Sequence, residues 1–226
     1  MAPYDKYKTS IIECTQWLAV NGYFGALRGT GGNVSMRVEG EKAFVITPST
    51  LPYDQLTLED MCVVDFDMNP IEGERKPSVE SGFHLAVYKN RKDINAVIHT
   101  HQVEGSVFSI LNQPIPPLFD EVALHIGHIV DVIPYALSGS PELIDNVVSM
   151  LDNLCHGYLM QNHGVLNLGA TLERAWLNVE LLEKSAVVYS KALSTGNKPS
   201  LLPDDIVNLL KELRKAEIEE LIAKKN

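Results

Sequence analysis

The sequence predicts an α/β fold of three layers, with helices on both faces of a central mixed, mainly antiparallel sheet. Apolar runs of strand length are mixed with amphipathic helical stretches along the 226 residues. Two strand-like runs flank the turn "EGE" and predict a hairpin near 34–47, which argues against a purely parallel sheet. The length and a hydrophobic content of 45% fit one domain spanning 1–226.

The first half of the chain opens with a helix over 5–21, which has a broad apolar stripe and stops at "NGY". A glycine-rich loop, "RGTGGNVS" (28–35), leads into the hairpin. A third strand follows at 61–66, and helical spacing is present over 77–90.

The second half continues with a strand at 96–101, a short helix over 103–112 and a strand at 128–135. The next helix, 139–154, has a strong start, because Ser140 is placed to cap it and a proline follows.

Three further elements complete the chain. The run 157–169 predicts two strands separated by a break, with the His-Gly step ending the first strand and opening the turn. Long amphipathic helices follow at 171–193 and 203–226.

Composition excludes several functions. The formal net charge of −10 argues against a nucleic-acid-binding protein, which would show a basic stripe. No apolar run is long enough for a membrane span, and the first ten residues do not resemble a secretory signal. The cysteines, Cys14, Cys62 and Cys155, lack metal-binding spacing and predict reduced thiols in a cytoplasmic protein.

The stretch "AVIHTHQ" (96–102) places two histidines two residues apart behind an apolar run. Alternation along a strand sends His99 and His101 to the same face. His163, near another apolar strand, and Glu80, at a helix start, could complete a site. Three imidazoles and a carboxylate fit a catalytic zinc ion, although other divalent metals use the same ligands.

Each of these signals is weak when taken singly. A lone His-x-His pair is more often incidental than metal-binding, and a histidine before glycine can simply end a strand. A glutamate at a helix start most often compensates the helix dipole. The glycine-rich loop would by itself be an ordinary turn.

Six motifs that follow one another in a fixed order are a more specific signal than any one of them: "GTGGNVS", "VITPS", "KPSVE", "FHLAVY", "AVIHTH" and "QNHG". Together they resemble the class II aldolase/adducin-type family, and most closely its L-fuculose-1-phosphate aldolase branch. The resemblance runs from about residue 8 to about residue 193.

This resemblance implies a Zn2+ site formed by His99, His101 and His163, with Glu80 as acid/base and as a possible ligand. It also implies a phosphate cradle with neutral donors, whose residues are Thr30, Gly32, Asn33, Ser49, Thr50 and Ser78. Related enzymes are homotetramers with active sites between subunits, so a homotetramer is expected.

Two positions depart from the branch pattern. Val79 stands where a second serine precedes the glutamate, so the cradle lacks one hydroxyl. Asp120 stands where the aldolases carry a tyrosine that protonates the substrate. Asp120 therefore either takes part in acid/base catalysis or caps the following helix. His84 could contact Glu80 or fill a core position.

The expected function is that of a zinc-dependent aldolase, a lyase of carbohydrate metabolism. It would cleave a small ketose 1-phosphate or related anionic sugar to dihydroxyacetone phosphate-type and aldehyde products, through a metal-stabilised enediolate. The alternatives are an epimerase, a dehydratase or a 3-keto acid decarboxylase with the same fold. A metal-free structural module of the adducin kind is disfavoured by the three histidines and Glu80.

Overall fold

A computed structural model describes residues 2–25 and 31–225. Its centre is an eight-stranded sheet with the order β4-β3-β2-β1-β5-β8-β7-β6, in which only β6 and β7 pair in parallel. The strands are β1 Asn33–Arg37, β2 Ala43–Ile46, β3 Cys62–Asp65, β4 Pro70–Glu72, β5 Ala96–Thr100, β6 Asp131–Ile133, β7 Gly157–Met160 and β8 Gly164–Gly169. The predicted mixed, mainly antiparallel sheet is therefore confirmed.

Helices cover both faces of this sheet. They are α1 Asp5–Val20, α2 Ser81–Asn90, α3 Val103–Leu111, α4 Asp120–His125, α5 Pro141–Met150, α6 Leu172–Ser194 and α7 Asp204–Ala223. Alternation along β2 shows how the layers separate: Val45 packs in the core beneath α1 and α6, whereas Phe44 packs in the core beneath α2 and α5. The three-layer prediction is thus confirmed.

Several local predictions need correction. The helix predicted from residue 77 begins at Ser81, because Pro77 pairs with Pro48 in an isolated bridge and lies outside the helix. The His163-Gly164 step closes the turn between β7 and β8 instead of opening it. The short strand β4 and helix α4 were too brief to give a periodic pattern.

The helix start predicted at Ser140 is confirmed, since its side chain accepts a hydrogen bond from the Leu143 backbone N–H. The three cysteines are free, as expected, and they are buried. None of the helices within the described ranges is both long and apolar enough to cross a membrane.

A buried ionic cluster ties α2 to the loop before β7. Arg91 forms an ion pair with Asp93 at 2.7 Å, and Asp93 also faces His156 at 3.4 Å. Burial lowers the pKa of His156 to about 4. Burial opposes ionisation of Asp93, but hydrogen bonds from His156 and Arg91 outweigh it and hold the pKa of that carboxyl well below its usual range.

These shifts predict acid sensitivity. In the unfolded chain a histidine titrates near pH 6.5, so the unfolded state binds a proton that the folded state rejects until about pH 4. The free energy of unfolding should therefore fall as the pH falls through this window. In H156Q the free energy of unfolding should change less steeply with pH, by up to ~1.4 kcal/mol per pH unit. Urea unfolding of both metal-free proteins between pH 4 and 7 measures the difference, and equal slopes would contradict the assignment.

Candidate metal and anion site

The end of β5 brings three imidazoles together. His99 Nε2 lies 3.1 Å from His101 Nε2, and the His99 and His163 ring centroids are 4.7 Å apart. One ring nitrogen from each of the three histidines lies within 4.8 Å of the others. Residues separated by more than sixty positions thus meet in one cluster, which could hold a metal ion.

Strand pairing explains this convergence. His99 on β5 lies opposite Asn33 on β1 and Leu166 on β8. The first residues of β1 and β8 therefore lie beside the histidines at the end of β5. Gly164 makes the approach possible, because a Cβ there would lie 2.4 Å from the Thr100 carbonyl oxygen and 2.8 Å from His101 Cδ2. A larger residue at this position would push the β7–β8 turn, and His163 with it, away from β5.

The His99 ring has a defined hydrogen-bond arrangement. Its Nδ1–H donates to the Val165 carbonyl at 2.9 Å, so the lone pair of Nε2 points into the cluster, where His101 Nε2 lies 3.1 Å away. Burial lowers the pKa of His99 to about 3, so the ring is neutral near pH 7. A carbonyl partner on the remote nitrogen is the usual support of a metal-binding histidine.

Glu80 occupies the N-cap position of α2 and faces the same cluster. Its Oε1 lies 3.1 Å from His163 Nε2, and its Oε2 lies 3.3 Å from His99 Nε2. Ser138 donates to Oε1 at 2.7 Å and Asn33 Nδ2 donates to Oε2 at 2.8 Å. Burial opposes ionisation, but His99, His163 and the Ser138 hydroxyl outweigh it and lower the pKa of Glu80 below its usual range.

Part of the predicted anion cradle lies beside Glu80. Asn33 Nδ2 donates to Ser78 Oγ at 3.0 Å. The short bridge between Pro48 and Pro77 holds Ser49 against the segment that precedes Ser78, with the Ser49 N–H donating to the Lys76 carbonyl at 3.0 Å.

The remaining cradle residues are distributed as follows. Gly32 directly precedes Asn33 with a φ of +83°, where a Cβ would lie 2.4 Å from the His99 carbonyl oxygen. Thr50 is exposed and has a φ of 59°, a strained value for a β-branched residue that is typical of functional loops. Thr30 lies outside the described residues.

Asp120 is exposed at the first position of α4. The capping interpretation is wrong in detail: Phe119 holds the cap position and no side chain caps the helix, although a carboxylate in the first turn still favours the helix dipole. The side chains that donate hydrogen bonds to the Glu80 carboxylate are those of Asn33 and Ser138. Val79 is also exposed, with 69% of its surface accessible.

Sequence reasoning missed Ser138. It lies in the loop before α5, and its neighbour Ser140 gave the recognisable signal of a helix cap. A lone serine in a turn carries no periodic pattern, so only the folded loop shows that its hydroxyl reaches Glu80.

Comparison with known proteins is consistent with this geometry. The model of the Class II Aldolase and Adducin N-terminal domain matches residues 9–190. An L-fuculose phosphate aldolase of Escherichia coli O6:H1 is 36% identical over 189 residues, which cover 83% of this chain and 86% of that protein. A 5-deoxy-D-ribulose 1-phosphate aldolase of Bacillus thuringiensis is 35% identical over 190 residues, 83% of this chain and 87% of the relative.

A solved structure of L-fuculose 1-phosphate aldolase superposes with a TM-score of 0.86 and 33% identity, covering 93% of this chain and 96% of the other. The predicted resemblance, and with it the prediction of an aldolase-type lyase, is confirmed by the family match and by the names of these relatives. The chain belongs to the Class II Aldolase and Adducin N-terminal domain family.

Proposed function

We propose that this protein is a zinc-dependent aldolase that cleaves a small ketose 1-phosphate or a related anionic sugar. One observation carries the metal assignment. The Nε2 lone pair of neutral His99 lies 3.3 Å from the ionised Glu80 Oε2 and 3.1 Å from His101 Nε2. The lone pair and the carboxylate repel each other at this distance unless a cation or a proton lies between them. A divalent cation held by the three histidines would satisfy both.

The donor set fits zinc. His99, His101 and His163 would hold the ion, and Glu80 would occupy or approach the fourth position that a catalytic zinc site leaves open to substrate. The ion would supply Lewis-acid stabilisation of the negative charge that develops beside the substrate carbonyl. Cobalt, nickel and iron remain possible occupants, because imidazole suits them as well.

Glu80 is the proposed general acid/base. Its lowered pKa keeps it ionised and able to accept a proton at neutral pH. The hydrogen bonds from Ser138 and Asn33 fix the carboxylate, so that a proton can be moved to or from the substrate carbon next to the carbonyl. The same bonds prevent the carboxylate from rotating away between steps.

Asn33, Ser78 and Ser49, with the backbone around Gly32, are proposed to bind the anionic end of the substrate. These groups are neutral donors, which suits a protein with a formal net charge of −10. Binding energy from this remote end would fix the reacting atoms beside Glu80. A cytoplasmic homotetramer, as in related enzymes, is part of the proposal.

Metal analysis and product analysis test the function together. Purified protein should contain about one divalent ion per chain and cleave a ketose 1-phosphate, and EDTA should abolish cleavage until zinc is restored. Borohydride should not trap a substrate adduct, because no Schiff-base lysine is proposed. Products lighter by water or carbon dioxide, or an epimer, would instead assign a dehydratase, decarboxylase or epimerase. Failure to bind any divalent metal would refute the proposal.

Glu80→Gln should separate proton transfer from metal binding. Glutamine keeps the size of the side chain and one acceptor oxygen but cannot accept the proton, so kcat should fall by about 10²–10⁴-fold. The zinc content measured by atomic absorption should stay near that of the wild type, because the three histidines remain. Glu173→Gln, in the exposed first turn of α6, is the matched control and should retain full kcat. An E80Q enzyme with unchanged kcat would exclude Glu80 as the acid/base.

Val79→Ser should strengthen binding of a phosphate substrate. It restores the hydroxyl that the related aldolases carry, and one added neutral hydrogen bond corresponds to about 1 kcal/mol, or roughly a five-fold lower KM. Val79→Ala, which shortens the side chain without adding a hydroxyl, is the control. Equal KM values in both variants would show that residue 79 does not contact the phosphate.

A further inference from the structure

A continuous chain of buried hydrogen bonds leads from the core to the candidate site. The Tyr88 hydroxyl and Ser35 Oγ lie 2.7 Å apart, and Ser35 Oγ lies 2.7 Å from His84 Nδ1. His84 Nε2 in turn bonds to Asn33 Oδ1. Each of these four side chains is at most 2% exposed, so none can rely on solvent for a partner.

The direction of this chain is fixed at the Glu80 end. Asn33 Nδ2 donates to both Ser78 Oγ and Glu80 Oε2, and an ionised carboxylate can only accept. The amide oxygen of Asn33 must therefore face His84, which places the proton of the neutral ring on Nε2. Burial lowers the pKa of His84 to about 3, consistent with a single ring proton.

The remaining bonds follow from this tautomer. With Nδ1 unprotonated, Ser35 must donate to His84, and Tyr88 must then donate to Ser35. Burial raises the pKa of the Tyr88 hydroxyl, which therefore keeps the proton that it donates. The opposite order would turn the Asn33 oxygen toward the Glu80 carboxylate and bring two acceptors together, so it is disfavoured.

This chain of hydrogen bonds determines which bonds the Ser78 hydroxyl can still make. Its Oγ accepts from Asn33 Nδ2 at 3.0 Å and from the Glu80 backbone N–H at 3.3 Å, which occupies both lone pairs. We infer that His84, Ser35 and Tyr88 are positioning residues that fix the Asn33 amide and so leave the Ser78 hydroxyl proton as a dedicated donor to the anionic group of the substrate. The role of this donor rests on the proposed function, whereas the order of the chain does not.

The tautomer of the His84 ring directly tests the direction of these hydrogen bonds. A long-range ¹H–¹⁵N correlation spectrum of the full-length, zinc-loaded protein should show His84 protonated on Nε2 and unprotonated on Nδ1. The Nδ1–H tautomer would overturn the inference. This measurement needs neither substrate nor activity, so it is independent of whether the protein is an aldolase.

Variants test the consequence for Ser78. Ser35→Ala removes one hydroxyl from the chain, so inorganic phosphate, used as the probe, should bind roughly three- to ten-fold more weakly. Zinc affinity should be unchanged, because the histidine ligands are intact. Ser185→Ala is the matched control: Ser185 is also fully buried, but its hydroxyl donates to the Leu181 carbonyl within α6, so phosphate affinity should not change. Ser35→Thr keeps the hydroxyl and should restore wild-type binding.

Equal phosphate affinity in S35A and S185A would overturn the inference. A wild-type protein that binds no phosphate would overturn the role of Ser78, whereas failure to bind a divalent metal would overturn the proposed function, with the His84 tautomer still Nε2–H. The two failures are therefore distinguishable.

Discussion

The pairing of β5 with its two neighbours is the constraint on which the rest of the site depends. β1 delivers Asn33 beside His99, and β8 begins at Gly164, directly after His163. The backbone hydrogen bonds of these strands therefore do more than hold the sheet together. They set the separation of three imidazoles and one amide to within the few ångströms over which metal binding and carboxylate orientation are decided.

Much of the fold could be predicted from the sequence because the long elements carry strong periodicity. Helices α1, α6 and α7 and strand β5 were all predicted within a few residues. The short elements β4 and α4 were not, since three to six residues cannot show a period. The start of α2 was placed too early because the Pro77 bridge is a long-range contact that no local pattern reveals.

The site, like the fold, could be predicted from the sequence only in part. The order of the motifs indicated that the histidines and Glu80 belong together, and the structure shows how β5, the β7–β8 turn and the start of α2 achieve it. Ser138 and the buried chain behind Asn33 could not be predicted in this way. Their contribution depends on hydrogen-bond direction in the folded core, and direction is a property of neighbours that are distant in the sequence.

The wide separation of the histidines along the chain has a consequence for how the protein folds. His99 bonds to Val165 across 66 positions, and closing so large a loop is costly before the strands pair. The three imidazoles therefore come together only where β5 and β8 are paired, and a chain in which these strands are separated lacks the complete cluster. A divalent ion bound by all three histidines would bind only the paired sheet, and it would therefore add its binding free energy to the stability of that pairing.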